Sequence, residues 1–252
     1  MLRISDFEFP AKWVCVIIRD VTLALNTGTI KQICALLEGA YGRPECRPEY
    51  GPLDELILTI LSQTTAAVNY NRAFASLRDR FGSLDEVRHA DVSEIEDAIR
   101  IGGLAAVKAA RIKKLLNDIY AERGDLSLDF LADMPDREAR EYLMRFKGIG
   151  IKTASCVLMF SLCRPVFPVD THIHRISRLL GLISSKVSAE EAHEVLGAVI
   201  PDELVYSLHV NLVTHGRRTC NANRPMCDVC CLLEICPSAV ILLTRIDRMN
   251  RI

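Results

Sequence analysis

Residues 146–154 read Phe-Lys-Gly-Ile-Gly-Ile-Lys-Thr-Ala, and this stretch decides the fold. Before it, Asp136 stands as an N-cap, Tyr142, Leu143 and Phe146 share one helical face, and Gly148 ends the helix. After it, Ile151 to Leu162 is almost uninterruptedly apolar, which predicts a central, buried helix. Two glycines one residue apart between two helices predict a tight hairpin. Lacking Cβ atoms, Gly148 and Gly150 let the backbone approach an anion, and the N–H groups opening the next helix point at it with the helix dipole in support. An ordinary pair of C-cap glycines explains the same spacing, so the motif gains weight only from its surroundings.

Helical periodicity extends outward from the hairpin. Leu53, Leu56, Ile57, Ile60 and Leu61 form one apolar stripe, and Val68, Phe74, Leu77 and Phe81 continue it after a break. Ile95, Ile99, Leu104 and Val107, then Ile112, Leu115, Leu116 and Ile119, predict two helices around Gly102-Gly103. Ile173, Ile176, Leu179 and Leu180 form another stripe, closed by Gly181, and Ser188 to Glu191 is a capping-box pattern. No alternating strand pattern competes, so the expected class is all-α. Pro44, Pro48 and Pro52 mark one boundary and Pro165 and Pro168 another. They set off a central domain over 50–164 from 26–49 and 165–238, which together make a discontinuous second domain, with 1–25 and 239–252 as extensions of unknown role.

The chain has 252 residues, 31 basic against 32 acidic side chains and a net charge of −1; half is hydrophobic and a quarter charged. That mix excludes a disordered or fibrous chain. No apolar run is long enough for a membrane span. Charges scattered through residues 1–25 leave no signal-peptide core, so the expected location is cytoplasmic, or nucleoid-associated in a bacterium or archaeon. A near-neutral balance argues against a blanket polyanion binder but allows local basic faces. Residues 100–114 carry Arg100, Lys108, Arg111, Lys113 and Lys114 and no acid, and residues 205–225 carry Arg217, Arg218 and Arg224 and no acid.

Five of the ten cysteines lie within seventeen residues: Cys220, Cys227, Cys230, Cys231 and Cys236. A chain of this size without a leader points to a reducing compartment, where clustered thiols bind metal rather than each other. Cys220, Cys227, Cys230 and Cys236, spaced 6-2-5, offer four thiolates that suit tetrahedral zinc or a [4Fe–4S] cluster, with Cys231 either a bystander or a substitute for Cys230. Lys152 sits in the first turn of an apolar helix. It is either a snorkelling surface lysine or, desolvated at a helix N-terminus, an amine of lowered pKa able to act as a nucleophile. Asp170, in Pro168-Val169-Asp170-Thr171-His172, is either a plain N-cap or a functional carboxylate. Of the histidines, His172 is a candidate cleft residue, His174, His209 and His215 read as packed or hydrogen-bonded, and His89 and His193 as surface positions.

Taken together, Gly148-Ile-Gly-x-Lys152-Thr-Ala, Val169-Asp-Thr-His172 and the four-cysteine loop match the endonuclease III family of helix–hairpin–helix DNA glycosylases in order and separation. Leu61-Ser-Gln-Thr-Thr65, Gly103-Leu104 with Lys108-Ala109, and His215-Gly-Arg-Arg-Thr-Cys220 extend the resemblance over about 50–238. It implies a six-helix barrel bearing the hairpin, a [4Fe–4S] domain built from both chain ends, and a cleft between the two. It further implies a double-stranded DNA partner, bound by a monomer, with the damaged nucleotide flipped out of the duplex. Lys152 would attack C1′ of the sugar and displace the base, supported by Asp170. The resulting Schiff base would then permit β-elimination at the 3′ phosphodiester. Gln63 and Leu104 match residues that enter the stack, an amide toward the orphan base and an apolar wedge, although Leu104 reads equally as core. Lys147, Gly148, Gly150, Thr153, Arg217 and Arg218 are the remaining expected DNA contacts. Oxidised pyrimidines are the default lesion. Alternatives are a monofunctional mismatch, uracil or 5-methylcytosine glycosylase, or a non-catalytic iron–sulfur DNA-binding protein. The chain departs from the pattern at Lys147, where relatives often carry Pro; at Ala66-Ala67, where an acid is usual; and around Cys227, preceded in its loop by only one basic residue, Arg224.

Overall fold

The structure, a computed structural model, describes residues 25–239, and the extensions outside that range, with their proposed roles, lie beyond it. Among the described residues every regular element is helical. The chain divides into two compact units, Glu45–Pro168 and a second built from the segments on either side.

Glu45–Pro168 contains α2 (Pro52–Ser62), α3 (Ala67–Arg80), α4 (Leu84–His89), α5 (Val92–Ile99), α6 (Ala105–Arg123), α7 (Asp136–Met144) and α8 (Ile151–Leu162). Pro52 opens α2 at its first turn, where a missing N–H costs nothing. α2 lies against α3 and α8, and α6 against α5. The predicted stripes meet here: Leu56, Ile57, Ile60, Leu61, Leu77, Ile95, Ile112, Leu116 and Leu158 are sealed from solvent. α8 spans the predicted residues and is buried on nearly every side, which explains why small or apolar residues fill it after Lys152. Val68, Leu104 and Val107 instead remain well exposed. α7 also differs from expectation. Pro135 is its N-cap, Asp136 is its first residue, and it ends at Met144, so Gly148 belongs to the hairpin itself. Ala66 caps α3 without a side-chain bond, as the missing acid implies.

Cys46 and Cys163 form a disulfide across 117 residues of sequence. Unpaired thiols were the expectation from the sequence, and no spacing rule pairs cysteines this far apart. The fold brings them together because the unit's chain ends adjoin, with Cys46 Sγ lying 3.4 Å from the Met159 carbonyl oxygen of α8. Arg164 ties the same end down through the carbonyls of Leu131, Ala132 and Met134 and the Asp136 carboxylate.

The other unit contains α1 (Thr27–Tyr41), α9 (Thr171–Leu179), α10 (Ala189–Gly197) and α11 (Val205–Arg218). α11 packs on both α1 and α9. Gly216 permits the close approach to α9, since a Cβ there would stand 2.7 Å from His172 Cβ. The predicted capping box is present: Ser188 Oγ accepts from Glu191 N at 3.1 Å and Glu191 Oε2 from Ser188 N at 2.8 Å.

Candidate functional site

The hairpin follows from its glycines. Gly148 has φ +85°, which only glycine adopts without strain, and its bare Cα lies against the Arg111 side chain. Gly150 is extended and caps α8 with no side chain, so nothing of its own covers the helix N-terminus. Ile149 between them is buried and pins the turn to the core, while Lys147, Gly148 and Gly150 are exposed. Lys152, in the first turn of α8, is half-buried, and its charge is felt by Glu55 of α2. Burial raises the Glu55 carboxyl to about 7, against a hydrogen bond from Thr59 and the attraction of Lys152. Glu55 thus exchanges a proton near neutrality beside the lysine. Sequence reasoning missed it. The only available signal was an acid flanking the apolar stripe at Leu56 and Ile60.

Gln63 and Leu104 lie on two neighbouring turns. Gln63 accepts from Arg111 Nη1 at 2.6 Å and approaches Thr153 Oγ1 at 3.4 Å. Thr153 is itself buried. Leu104 is the left-handed N-cap of α6 and is 60% exposed, which removes it from the core. Lys108 corrects the basic-face reading. It is buried, with its ammonium bound to Leu61 O, Thr65 Oγ1 and Gly102 O. The other basic residues of 100–114 are also engaged. Arg100 pairs with Asp97, Lys113 donates to Ala90 O, and Lys114 pairs with Asp118 at 2.8 Å. The acids lie just outside the window or on the next helical turn, where a count over 100–114 cannot register them. Arg217 and Arg218 are exposed.

In the second unit, Asp170 is the N-cap of α9 and accepts from Ile173 N through Oδ1 at 2.8 Å. That bond occupies one carboxylate oxygen. His193, expected at the surface, is buried. Its Nε2 accepts from Val169 N at 2.9 Å and its Nδ1 lies 2.9 Å from Ala189 O, which fixes the neutral tautomer and the segment leading into Asp170. His172 Nδ1 meets Arg175 at 3.3 Å. His174 bonds Val187 O, His215 bonds Tyr41, and His209 is buried, as anticipated. Burial and the nearby Arg175 lower His215 to about 4.

Cys220, Cys227, Cys230 and Cys236 line one otherwise apolar pocket with Leu179, Leu232 and His215, and Cys231 is absent from its lining. Among the described residues no three metal-ligating side chains converge on a single-ion site. The donor set nevertheless fits an anionic thiolate-held cluster. Burial raises Cys220 to about 11, and the Arg175 guanidinium opposes that rise. Arg175 Nε is buried without a partner, positive character left over beside the thiols.

The profile of the HhH-GPD superfamily base excision DNA repair proteins matches residues 57–202. Endonuclease III of Sulfolobus acidocaldarius is 35% identical over 183 residues, 72% of this chain and 79% of that protein. The chain belongs to the endonuclease III/HhH-GPD family. The Arabidopsis thaliana protein At3g47830, named by inference as a DNA glycosylase, is 43% identical over 176 residues, 70% of this chain; the chain spans 60% of that relative. A solved non-covalent endonuclease III–DNA complex matches with a TM-score of 0.75 at 26% identity, covering 87% of this chain and 99% of that one.

Proposed function

We propose that this family member is a bifunctional DNA glycosylase/AP lyase that removes oxidised pyrimidines from duplex DNA and cuts the strand by β-elimination. The observation that carries the reading is Lys152 itself: an amine in the first turn of a helix opened by a bare glycine hairpin, beside a carboxyl that exchanges its proton near pH 7. In this reading the uncharged Lys152 amine attacks C1′, the base departs with its electron pair, and Asp170 stabilises the positive charge on the sugar. The Lys152 Schiff base then acidifies the 2′ proton, and the 3′ phosphate leaves. Gln63 and Leu104 fill the hole left in the stack. Lys147, Gly148, Gly150, Thr153, Arg217 and Arg218 hold or support the phosphate path, and His172 borders the reacting nucleotide. The protein works as a monomer. Cys220, Cys227, Cys230 and Cys236 hold a [4Fe–4S] cluster that closes their loop and supports the fold rather than the chemistry.

Incubation with a thymine-glycol duplex and borohydride tests this. Wild type gives a covalent protein–DNA adduct, and Lys152→Ala gives none while keeping its circular dichroism. Base release by wild type without an adduct would sink the lyase half. Adduct formation by Lys152→Ala would move the nucleophile elsewhere.

A further inference from the structure

Lys108 has no part in the chemistry above, yet it is 2% exposed and buried as a charged group. Its ammonium has three protons and three acceptors: Leu61 O at 2.7 Å, Thr65 Oγ1 at 2.7 Å and Gly102 O at 2.9 Å. None is a carboxylate. Desolvation pulls its pKa down, with Arg111 adding to the effect. A buried cation needs complete hydrogen bonding to be tolerated, and here that bonding comes from two separate turns. Leu61 and Thr65 bracket Gln63, whereas Gly102 lies two residues before Leu104. A direct bond joins the same turns, Thr65 Oγ1 to Gly102 O at 2.5 Å.

Both turns are strained. Among the described residues, non-glycine positive φ occurs at Thr64 (+56°), Leu104 (+51°) and Cys163 (+50°), and the first two flank this ammonium. Leu104, an apolar side chain, is also held out in solvent. Such conformations persist only where neighbours over-determine them. One helical turn beyond Lys108, Arg111 holds the Gln63 side chain and covers Gly148. The first turns of α6 therefore reach the Gln63 turn, the Leu104 turn and the hairpin.

We propose that Lys108 is a positioning residue that locks the Gln63 and Leu104 turns into one rigid two-pronged element, so that the amide and the wedge enter a duplex together. This rests on the DNA-binding part of the proposed function. Its test is a double-mutant cycle on binding to a duplex carrying a tetrahydrofuran abasic analogue, which requires no catalysis. In the Lys108 background, Gln63→Ala and Leu104→Ala each weaken Kd, and the double variant loses about tenfold less than their product, because either loss disarms the shared element. In Lys108→Met the two losses multiply. A purely structural lysine would lower the melting temperature and leave the non-additivity unchanged, and that result overturns the proposal, as does additivity in the wild-type background. If Lys108→Met does not fold, the same cycle is read in Thr65→Val, which removes one acceptor, and the same two outcomes apply. A wild type that binds the analogue but releases no base from any lesion duplex ends the glycosylase reading alone. A wild type that does not bind it ends both.

Discussion

Replacing each hairpin glycine by alanine separates what holds the turn from what the turn presents. At position 148 an alanine must adopt φ +85°, and its Cβ would lie 2.6 Å from Arg111 Nε, 2.7 Å from Cζ and 3.1 Å from Cδ. The left-handed backbone costs roughly 1–2 kcal/mol for a residue with a Cβ. The contact involves the middle of the arginine, so the side chain must swing away, breaking its 2.6 Å bond to Gln63. A hydrogen bond to a charged group is worth about 1.5–3 kcal/mol. The sum, about 2.5–5 kcal/mol, lowers the melting temperature by on the order of 10 °C in a domain of this size. At position 150 the backbone is extended and no atom lies within 4 Å of the added methyl. Gly150→Ala should melt within about 0.5 kcal/mol of wild type. Its methyl projects beside the bare helix end, so its affinity for abasic-analogue duplex should fall all the same. Thermal melts followed by circular dichroism, with binding isotherms, give both readouts. Equal melting temperatures for the two variants, or an unshifted Gly148→Ala, would refute the assignment of Gly148 to turn geometry and Gly150 to phosphate approach.

Glu55 gives a pH signature. The fold raises its carboxyl from 4.5 to about 7, so the native state binds the proton more tightly and stability is lost as pH climbs through that window. Glu55→Gln should therefore be the more stable protein at pH 8, by on the order of 3 kcal/mol, with the difference vanishing near pH 4; a difference that does not vary with pH would contradict this. The Cys46–Cys163 disulfide closes a 117-residue loop. Its removal from the unfolded-state constraint costs up to about 5 kcal/mol, so reductant should lower the melting temperature of wild type and leave that of Cys46→Ser unchanged. Cys231→Ser should retain visible absorbance near about 410 nm and Cys230→Ser should lose it; the opposite pattern would reassign the fourth ligand.

The fold was legible wherever burial follows a helical period. The stripe from Leu53 to Leu61 and the apolar run from Ile151 to Leu162 reappear as α2 and α8 because both lie in the interior, where composition and environment are tightly bound together. The capping box at Ser188 was equally plain, since its chemistry is local. What escaped depends on contacts distant in sequence. Charge counting placed Lys108 on a surface, and three oxygens from two other turns bury it. His193 read as a surface residue because its partner is the Val169 amide, 24 positions away. Leu104 and Val107 fit a stripe on paper, but the left-handed cap at Leu104 turns them outward. Asp170 was legible only as a choice between two roles, and its bond to Ile173 N shows the capping role without using its second oxygen.

The engaged cations change how an interface with DNA must work on this chain. Arg100, Lys108, Lys113 and Lys114 already have oxygen partners, and Arg111 is committed to Gln63. A net charge of −1 supplies no general field to replace them. Of the expected DNA contacts, those still directed outward are the exposed hairpin with the uncapped α8 N-terminus, Lys147, and Arg217 with Arg218. Backbone amides release no counterions of their own on meeting a phosphate, whereas each lysine or arginine that neutralises one does. Binding carried by these groups should thus have a log–log salt slope of about −3, set by three side chains. A slope of −6 or steeper would mean that the intramolecular pairs along α6 open on contact, and the paired cations Arg100, Arg111, Lys113 and Lys114 would then have to be counted back into the interface.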